Sequence, residues 1–273
     1  MAIRRIQAFS PNATIAIAHV HDRQGRHKNV YFDQPMDFVF DAPLVEGVIA
    51  ERKNRFVMSV QHKGEMLLCH CPTTERIGKI HLNGRPCLLS KNPHLNRKTT
   101  HTVEAISLQR PEDSHKSWIG INQTRINRYV EYFLKNRCFP KMALIGDIRR
   151  EQRLGSSKID FLVGGTYLEV KTPLHDLQMP IPPWVKTREA TPCSYIRQQR
   201  QIADLTGHLQ AHQRAILLVC CMYHPDGPML QALYASIKAI INAYIAKGVD
   251  IWQANFTLTP TKITLKEYFR IHV

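Results

Sequence analysis

The stretch KIDFLVGGTYLEVK, Lys158 to Lys171, constrains this chain more than any other, because two runs rich in β-branched and aromatic residues flank a Gly-Gly pair and each carries one acid. Two glycines between such runs supply loop positions that can take positive φ, the chemistry of a two-residue hairpin. With Gly164 and Gly165 as the loop, Val163 faces Thr166 and every cross-strand pair has numbers summing to 329, so Asp160 lies opposite Glu169. Side chains alternate faces with period two. That places Ile159, Phe161, Leu168 and Val170 on one apolar face and Lys158, Asp160, Glu169 and Lys171 on the other. Directly opposed residues hold their Cβ atoms about 4.5–5.5 Å apart, where like charges destabilise a sheet. A hard divalent cation with oxygen ligands offsets that repulsion, and Lys171 then stands beside the same pocket. The alternative is a solvated face on which the two lysines neutralise the two acids.

The chain carries 37 Lys and Arg against 22 Asp and Glu in 273 residues, a net charge of +15. Such an excess favours a polyanionic partner. The positive residues are spread through folded-looking sequence, with no cluster beside an apolar span and no basic amphipathic helix, which points to nucleic acid rather than lipid. Charge alone confers no base preference, so binding is expected to be largely independent of sequence, to DNA, RNA or both. Seven cysteines, an odd number, lie in apolar or strand-like contexts such as AILLVCCMY. They read as buried thiols of a reducing compartment, and the expected location is the cytoplasm. The apolar runs are too short to span a bilayer. The start, MAIRRIQAFSPNATIAIAHVHD, has two arginines and a short apolar stretch but no clear small-residue cleavage site, so a signal peptide is not expected. There is no G-x-S-x-G and no ordered triad of a serine hydrolase.

Residues 1–37 form an extension, in which ATIAIAHV and the turn residues GRHKN suit an added hairpin or a docked arm. Over 38–110, five short β-type runs, around 45–50, 56–62, 65–71, 86–90 and 101–108, are separated by Gly, Asn and Lys turns and predict a small OB-like barrel. The polar segment QRPEDSHKS marks its end. From 111 to 273 the pattern changes. NQTRINRYVEYFLKNR places Ile126, Tyr129, Val130, Phe133 and Leu134 at helical spacing. The hairpin follows, then a helix over SYIRQQRQIADLTGHLQAH, and the strands AILLVCCMY and VDIWQANFTL separated by another helix, an α/β layer order with a mixed sheet.

From about Pro43 to Phe256 the chain resembles the sugar fermentation stimulation protein family. The resemblance rests on ordered pieces: PLVEG, RKNRF, HCPTTERIG, WIGINQTRINRYVE, KIDFLV, YLEVKTPL and RQQRQIADLTGHLQAHQRAILLV. It implies an OB-like domain followed by a restriction-endonuclease-like domain of the PD-(D/E)XK nuclease class. In that class an acid on one strand and Glu-x-Lys on the next bind Mg²⁺ or Mn²⁺ and activate water against a phosphodiester. Asp160 and Glu169 match the metal ligands, joined by the Val170 carbonyl, and Lys171 matches the lysine. Glu131 matches a helix position that supplies a further acid, although it also suits an i,i+4 pair with Lys135. Gln201 stands where the family often has His. Thr73-Thr74-Glu75 departs from the family's usual Asn-Thr-Gly, and the first 40 or so residues have no recognised counterpart.

Candidate nucleic-acid contacts are Arg52, Lys53 and Arg55 at the barrel mouth, Arg153 ahead of the hairpin with Arg149 and Arg150, and Arg200 beside Gln201. Basic grooves with stacking aromatics are how OB modules hold single strands, although Phe56 reads better as a core residue. Cys69 and Cys71 share one strand face, with no second Cys/His pair at zinc spacing, and read as buried thiols. The runner-up function is a DNA-binding protein or transcriptional regulator of sugar metabolism that keeps the nuclease fold without using its site.

Overall fold

A computed structural model of the chain describes residues 17–21, 27–31, 36–73, 76–92, 98–175, 177, 179–188, 204, 207, 213–223 and 245–271. In the extension, β1 (Ile17–His21) and β2 (His27–Tyr31) pair antiparallel as a separate two-stranded ribbon, the hairpin of the two forms expected there, with His27–Asn29 of the expected turn lying in β2 instead. The five expected barrel strands are all present: β4 (Val45–Arg52), β5 (Val57–His62), β6 (Glu65–His70), β7 (Pro86–Lys91) and β8 (His101–Ile106). They run β6-β5-β4-β7-β8, and a parallel pairing of β6 with β8 closes the barrel. Its interior is filled by Ile49, Met58, Val60, Cys69, Cys87 and Val103. The short β9 (Ile119–Gly120) extends the sheet from β8.

The second domain opens with α1 (Ile126–Lys135), whose five expected apolar residues are all buried. Its seven-stranded sheet has the order β10-β11-β12-β13-β14-β15-β3. The strands are β10 (Ile148–Leu154), β11 (Ser157–Val163), β12 (Thr166–Lys171), β13 (Arg214–Cys221), β14 (Asp250–Leu258), β15 (Lys262–Arg270) and, from ahead of the barrel, β3 (Asp37–Val39). β12, β13 and β14 are parallel and the rest antiparallel, the mixed sheet expected. The strands 216–220 and 252–256 are buried on both faces, as central parallel strands require. One face packs against α1 and the other against the barrel, so the two domains share apolar surface. Gly120 sits at that seam: its N–H donates to the Met222 carbonyl at 2.8 Å, and a Cβ on it would lie 2.9 Å from Met222.

Within the described residues no helix is long and apolar enough to cross a membrane. The two later helices expected from the sequence lie largely outside the described residues, apart from short helical pieces such as Asp204.

β3 is too short to hold by its ladder alone. Phe38 meets Tyr129 and Tyr132 of α1 edge to face at 4.9 and 5.3 Å. Asp37 accepts from Lys262 at 2.7 Å and from the Thr264 hydroxyl. Burial acts to raise the Asp37 pKa, but the bonds from Lys262 and Thr264 and the charges of Lys262 and Lys266 outweigh it, so the carboxyl sits below its ordinary value of 3.8. A depressed acid contributes stability that is present above its unfolded pKa and lost as pH falls through the folded one. Asp37→Asn is therefore expected to lower the urea midpoint at about pH 7, with the difference from the parent vanishing near pH 2–3. An equal loss at both pH values would mean that Asp37 acts by packing rather than charge.

Candidate metal centre

The β11–β12 ladder pairs Val163 with Thr166, Leu162 with Tyr167 and Phe161 with Leu168, the register that sums to 329. Gly164 turns the loop at φ +57°, and a Cβ there would stand 2.2 Å from the Ile145 carbonyl oxygen, so the glycine is required by conformation and by space. Beyond Phe161 the two strands separate. On the other edge of β11, Glu151 of β10 falls opposite Asp160 and takes φ +55°, a left-handed kink within a strand. The alternation slips there. Ile159 packs with Leu162 and Tyr167 on the barrel side, whereas Phe161, Val163, Leu168 and Val170 pack on the α1 side. Ile159 thus does not share a face with Phe161, as strict period-two reading expected, because the kink opposite Asp160 resets the pleat.

The kink frees the Asp160 carboxylate to do what a ladder carbonyl does elsewhere. It accepts the Val170 backbone N–H at 2.8 Å and, on its other oxygen, the side-chain amide of Asn127 on α1 at 2.7 Å. Glu169 is 2% exposed, and Lys171 Nζ lies 2.6 Å from its Oε1. Burial holds Glu169 above the ordinary carboxylate range. The Lys171 ammonium opposes that rise, the Asp160 charge adds to it, and a hydrogen bond from the Asp160 backbone opposes it. So the two acids feel each other. Of the alternative reading, two lysines neutralising two acids on a solvated face, Lys171 does pair with Glu169, but Glu169 is buried and Lys158 pairs with Glu151 at 2.6 Å instead.

Glu131 is held by Lys135 at 2.8 Å, its i,i+4 partner, and by Arg150 at 3.5 Å. Arg149 and Arg153 are exposed on β10, the basic edge strand next to the hairpin. Lys53 and Arg55 are exposed at the β4–β5 turn, while Arg52 donates to the carbonyls of Thr73, Arg55 and Asn54 at 2.7, 3.2 and 3.4 Å and ties that turn to the segment after β6. Phe56 is 55% exposed, a correction to its reading as core: it lies in the turn ahead of β5, where the inward positions fall to Met58 and Val60. Cys69 and Cys71 are buried, burial pushing the Cys69 thiol up to about 12. Arg200 and Gln201 lie outside the described residues. Asn127 escaped sequence reading, since a polar residue beside an apolar helical stripe looks like any surface amide.

Among the described residues no three His, Cys, Asp or Glu side chains are grouped to hold a metal ion. The donor set is a carboxylate pair, both hard oxygen ligands, one of them buried. That fits Mg²⁺, which takes one or two carboxylates and completes its shell with waters and substrate phosphates, better than it fits zinc, which prefers nitrogen and sulfur.

Residues 50–121 match the family model of the SfsA N-terminal OB domain. Over 243 residues the chain is 34% identical to a sugar fermentation stimulation protein homolog of Synechococcus sp. (strain JA-2-3B'a(2-13)), covering 85% of this chain and 94% of that one. A homolog from Gloeobacter violaceus is 31% identical over 235 residues, 81% of this chain and 92% of that one. Among solved structures, that of Pyrococcus furiosus SfsA in complex with Ca²⁺ superposes with a TM-score of 0.65 at 19% identity, covering 87% of this chain and all of that one, a likeness of fold.

Proposed function

Because the chain belongs to the sugar fermentation stimulation protein family, we propose that it binds nucleic acid through its barrel and hydrolyses phosphodiester bonds at the Asp160–Glu169–Lys171 centre with Mg²⁺ or Mn²⁺. The observation that carries this reading is a buried Glu169 set beside a second carboxylate at a kinked strand end, an unfavourable arrangement that a cation relieves. A Ca²⁺ complex of a protein with the same fold supports a hard divalent cation here. Asp160 and Glu169 would hold it. When bound, such a cation polarises a phosphodiester and lowers the pKa of water. Asn127 and the Val170 N–H fix the Asp160 carboxylate, so its orientation does not depend on substrate. Lys171, released from Glu169, would orient the attacking water or meet the charge developing on phosphate. Glu131 would lend its carboxylate from α1 once Arg150 engages a phosphate instead. Lys53, Arg55 and the exposed Phe56 would grip a strand by charge and stacking, and Arg153 would extend that track along β10. Five of the six described cysteines are buried and all six are free of disulfides, which supports a cytoplasmic setting.

A specific observation favours the second reading, a binding protein or regulator: Lys171 already pairs with Glu169 Oε1 at 2.6 Å. The discriminating assay is a panel of labelled DNA and RNA oligonucleotides, single and double stranded, with Mg²⁺, Mn²⁺ or chelator. Cleavage is expected with metal alone, and affinity should fall linearly in log salt for every sequence tested. Binding with no cleavage of any substrate assigns the regulator role, and a flat salt plot removes the nucleic-acid reading altogether.

A further inference from the structure

The segment after β6 runs against the second domain by a short backbone zipper. Gly78 N–H donates to the Leu174 carbonyl at 2.7 Å, Arg188 N–H to Lys79 at 2.9 Å and His81 N–H to Lys186 at 2.8 Å, with Ile80 bridging Thr187. This zipper fixes Arg188 at the seam between barrel and sheet. Its Nε and Nη2 are buried and find no acceptor among the described residues. Burial draws the Arg188 pKa down, and the charges that act on it are two further guanidiniums, those of Arg76 and Arg52, which draw it down as well. Arg188, with its buried orphan donors, thus sits in the field of two further guanidiniums, and the partner its own Nε and Nη2 lack is an acceptor, best supplied by an anion.

The same place is wired to the centre. Arg52 donates to the Thr73 carbonyl at 2.7 Å, the Thr73 hydroxyl to Gln123 at 2.9 Å, and the Gln123 amide to the carbonyl of Thr172 at 3.0 Å, the residue after Lys171. The Thr172 hydroxyl is itself buried with no partner among the described residues. A guanidinium presents a planar fork of donors that matches two oxygens of a phosphate.

We propose that Arg188, together with Arg52 and Arg76, forms a phosphate cradle at the seam of the two domains, which holds a backbone phosphate of the bound strand beside the Asp160–Glu169 centre. This rests on the nucleic-acid reading above and adds to it a site shared by both domains. The first probe is inorganic phosphate, without metal or nucleic acid, set against chloride at equal ionic strength. Phosphate should raise the parent's melting temperature further than chloride, and Arg188→Gln should lose that extra gain. In phosphate-free buffer Arg188→Gln should melt no lower than the parent, since an unpaired cation has gone; a purely structural arginine would lower it. Arg76→Gln, at an exposed position, is the second variant and should weaken the phosphate response without unfolding risk. For a labelled single-stranded oligonucleotide, Arg188→Gln should lose about tenfold in affinity and about 0.7 in salt slope, while the melting gain given by Mn²⁺ stays parental. Parental phosphate response and affinity in both variants overturn the cradle, as does a lowered phosphate-free melting temperature with the response intact. A parent that answers phosphate but no divalent cation upholds the cradle and removes the metal centre.

Discussion

Asp160→Asn is expected to abolish metal-dependent cleavage, by at least about 100-fold, and to abolish the rise in melting temperature that Mg²⁺ or Mn²⁺ gives the parent. The metal-free variant should stay close to the parent in stability. Replacing the carboxylate removes a charge that opposes Glu169, yet one amide oxygen can still accept only one of the two donors, Val170 N–H and Asn127, that the carboxylate satisfies. Glu169→Gln should behave alike in activity. Lys171→Ala separates the effects. It leaves both ligands but strips Glu169 of its ammonium, so the metal-free variant should lose about 1–3 kcal/mol and regain more than the parent does when metal is added, while cleavage drops sharply. Calorimetry with and without metal, beside one cleavage assay, reads all of this. Parental cleavage by Asp160→Asn would move the active site elsewhere.

The largest loss of stability is expected at Glu104 of β8. This carboxylate is 1% exposed and accepts from the Ser90 hydroxyl, from the Asn122 amide at 2.7 Å and from Arg125 at 2.9 Å. It therefore joins two barrel strands to the residues that lead into α1. Glu104→Ala leaves three donors without their acceptor, one of them charged. Breaking such a buried pair costs about 3–5 kcal/mol, and because the Arg125 side chain is a third exposed the lower end applies. The melting temperature should fall by roughly 6–12 °C. Glu104→Gln keeps the shape and an acceptor and should lose less. If Glu104→Ala melts within a degree of the parent, the cluster is not what joins barrel to helix.

Local pattern made much of the architecture readable. The hairpin register followed from two glycines, the five barrel strands from alternation between turn residues, and the buried stripe of α1 from its 3.6-residue spacing. The strands that escaped lie at or near sheet edges. IRREQRL of β10 is nearly all polar because its edge faces solvent, KITLKEYFR of β15 is mostly polar, and the three residues of β3 are too few to show a period. At the candidate site, Asp160, Glu169 and Lys171 stand in one short stretch and could be proposed from it. The Asn127 contact with Asp160 could not, because it joins residues 33 apart along the chain, nor could the placing of Arg188 beside Lys79 across the domain seam. The slip at Ile159 was hidden too, since nothing in the letters REQ announces that Glu151 adopts a left-handed backbone.

The pairing of β3 with β15 fixes an order of assembly. Asp37 meets Thr264 across 227 positions of sequence, whereas every strand of the barrel lies between Val45 and Ile106. A chain growing on the ribosome can close the barrel as soon as its own strands have emerged. The three residues ahead of it must wait, tethered to a finished barrel, until almost everything else has been synthesised. Loop closure over that span adds little free energy for each doubling of length, so the delay is kinetic rather than thermodynamic. β3 thus acts as a late clasp: it locks the far edge of the sheet after the strands bearing Asp160 and Glu169 have already been laid down, and it does so from the opposite end of the chain.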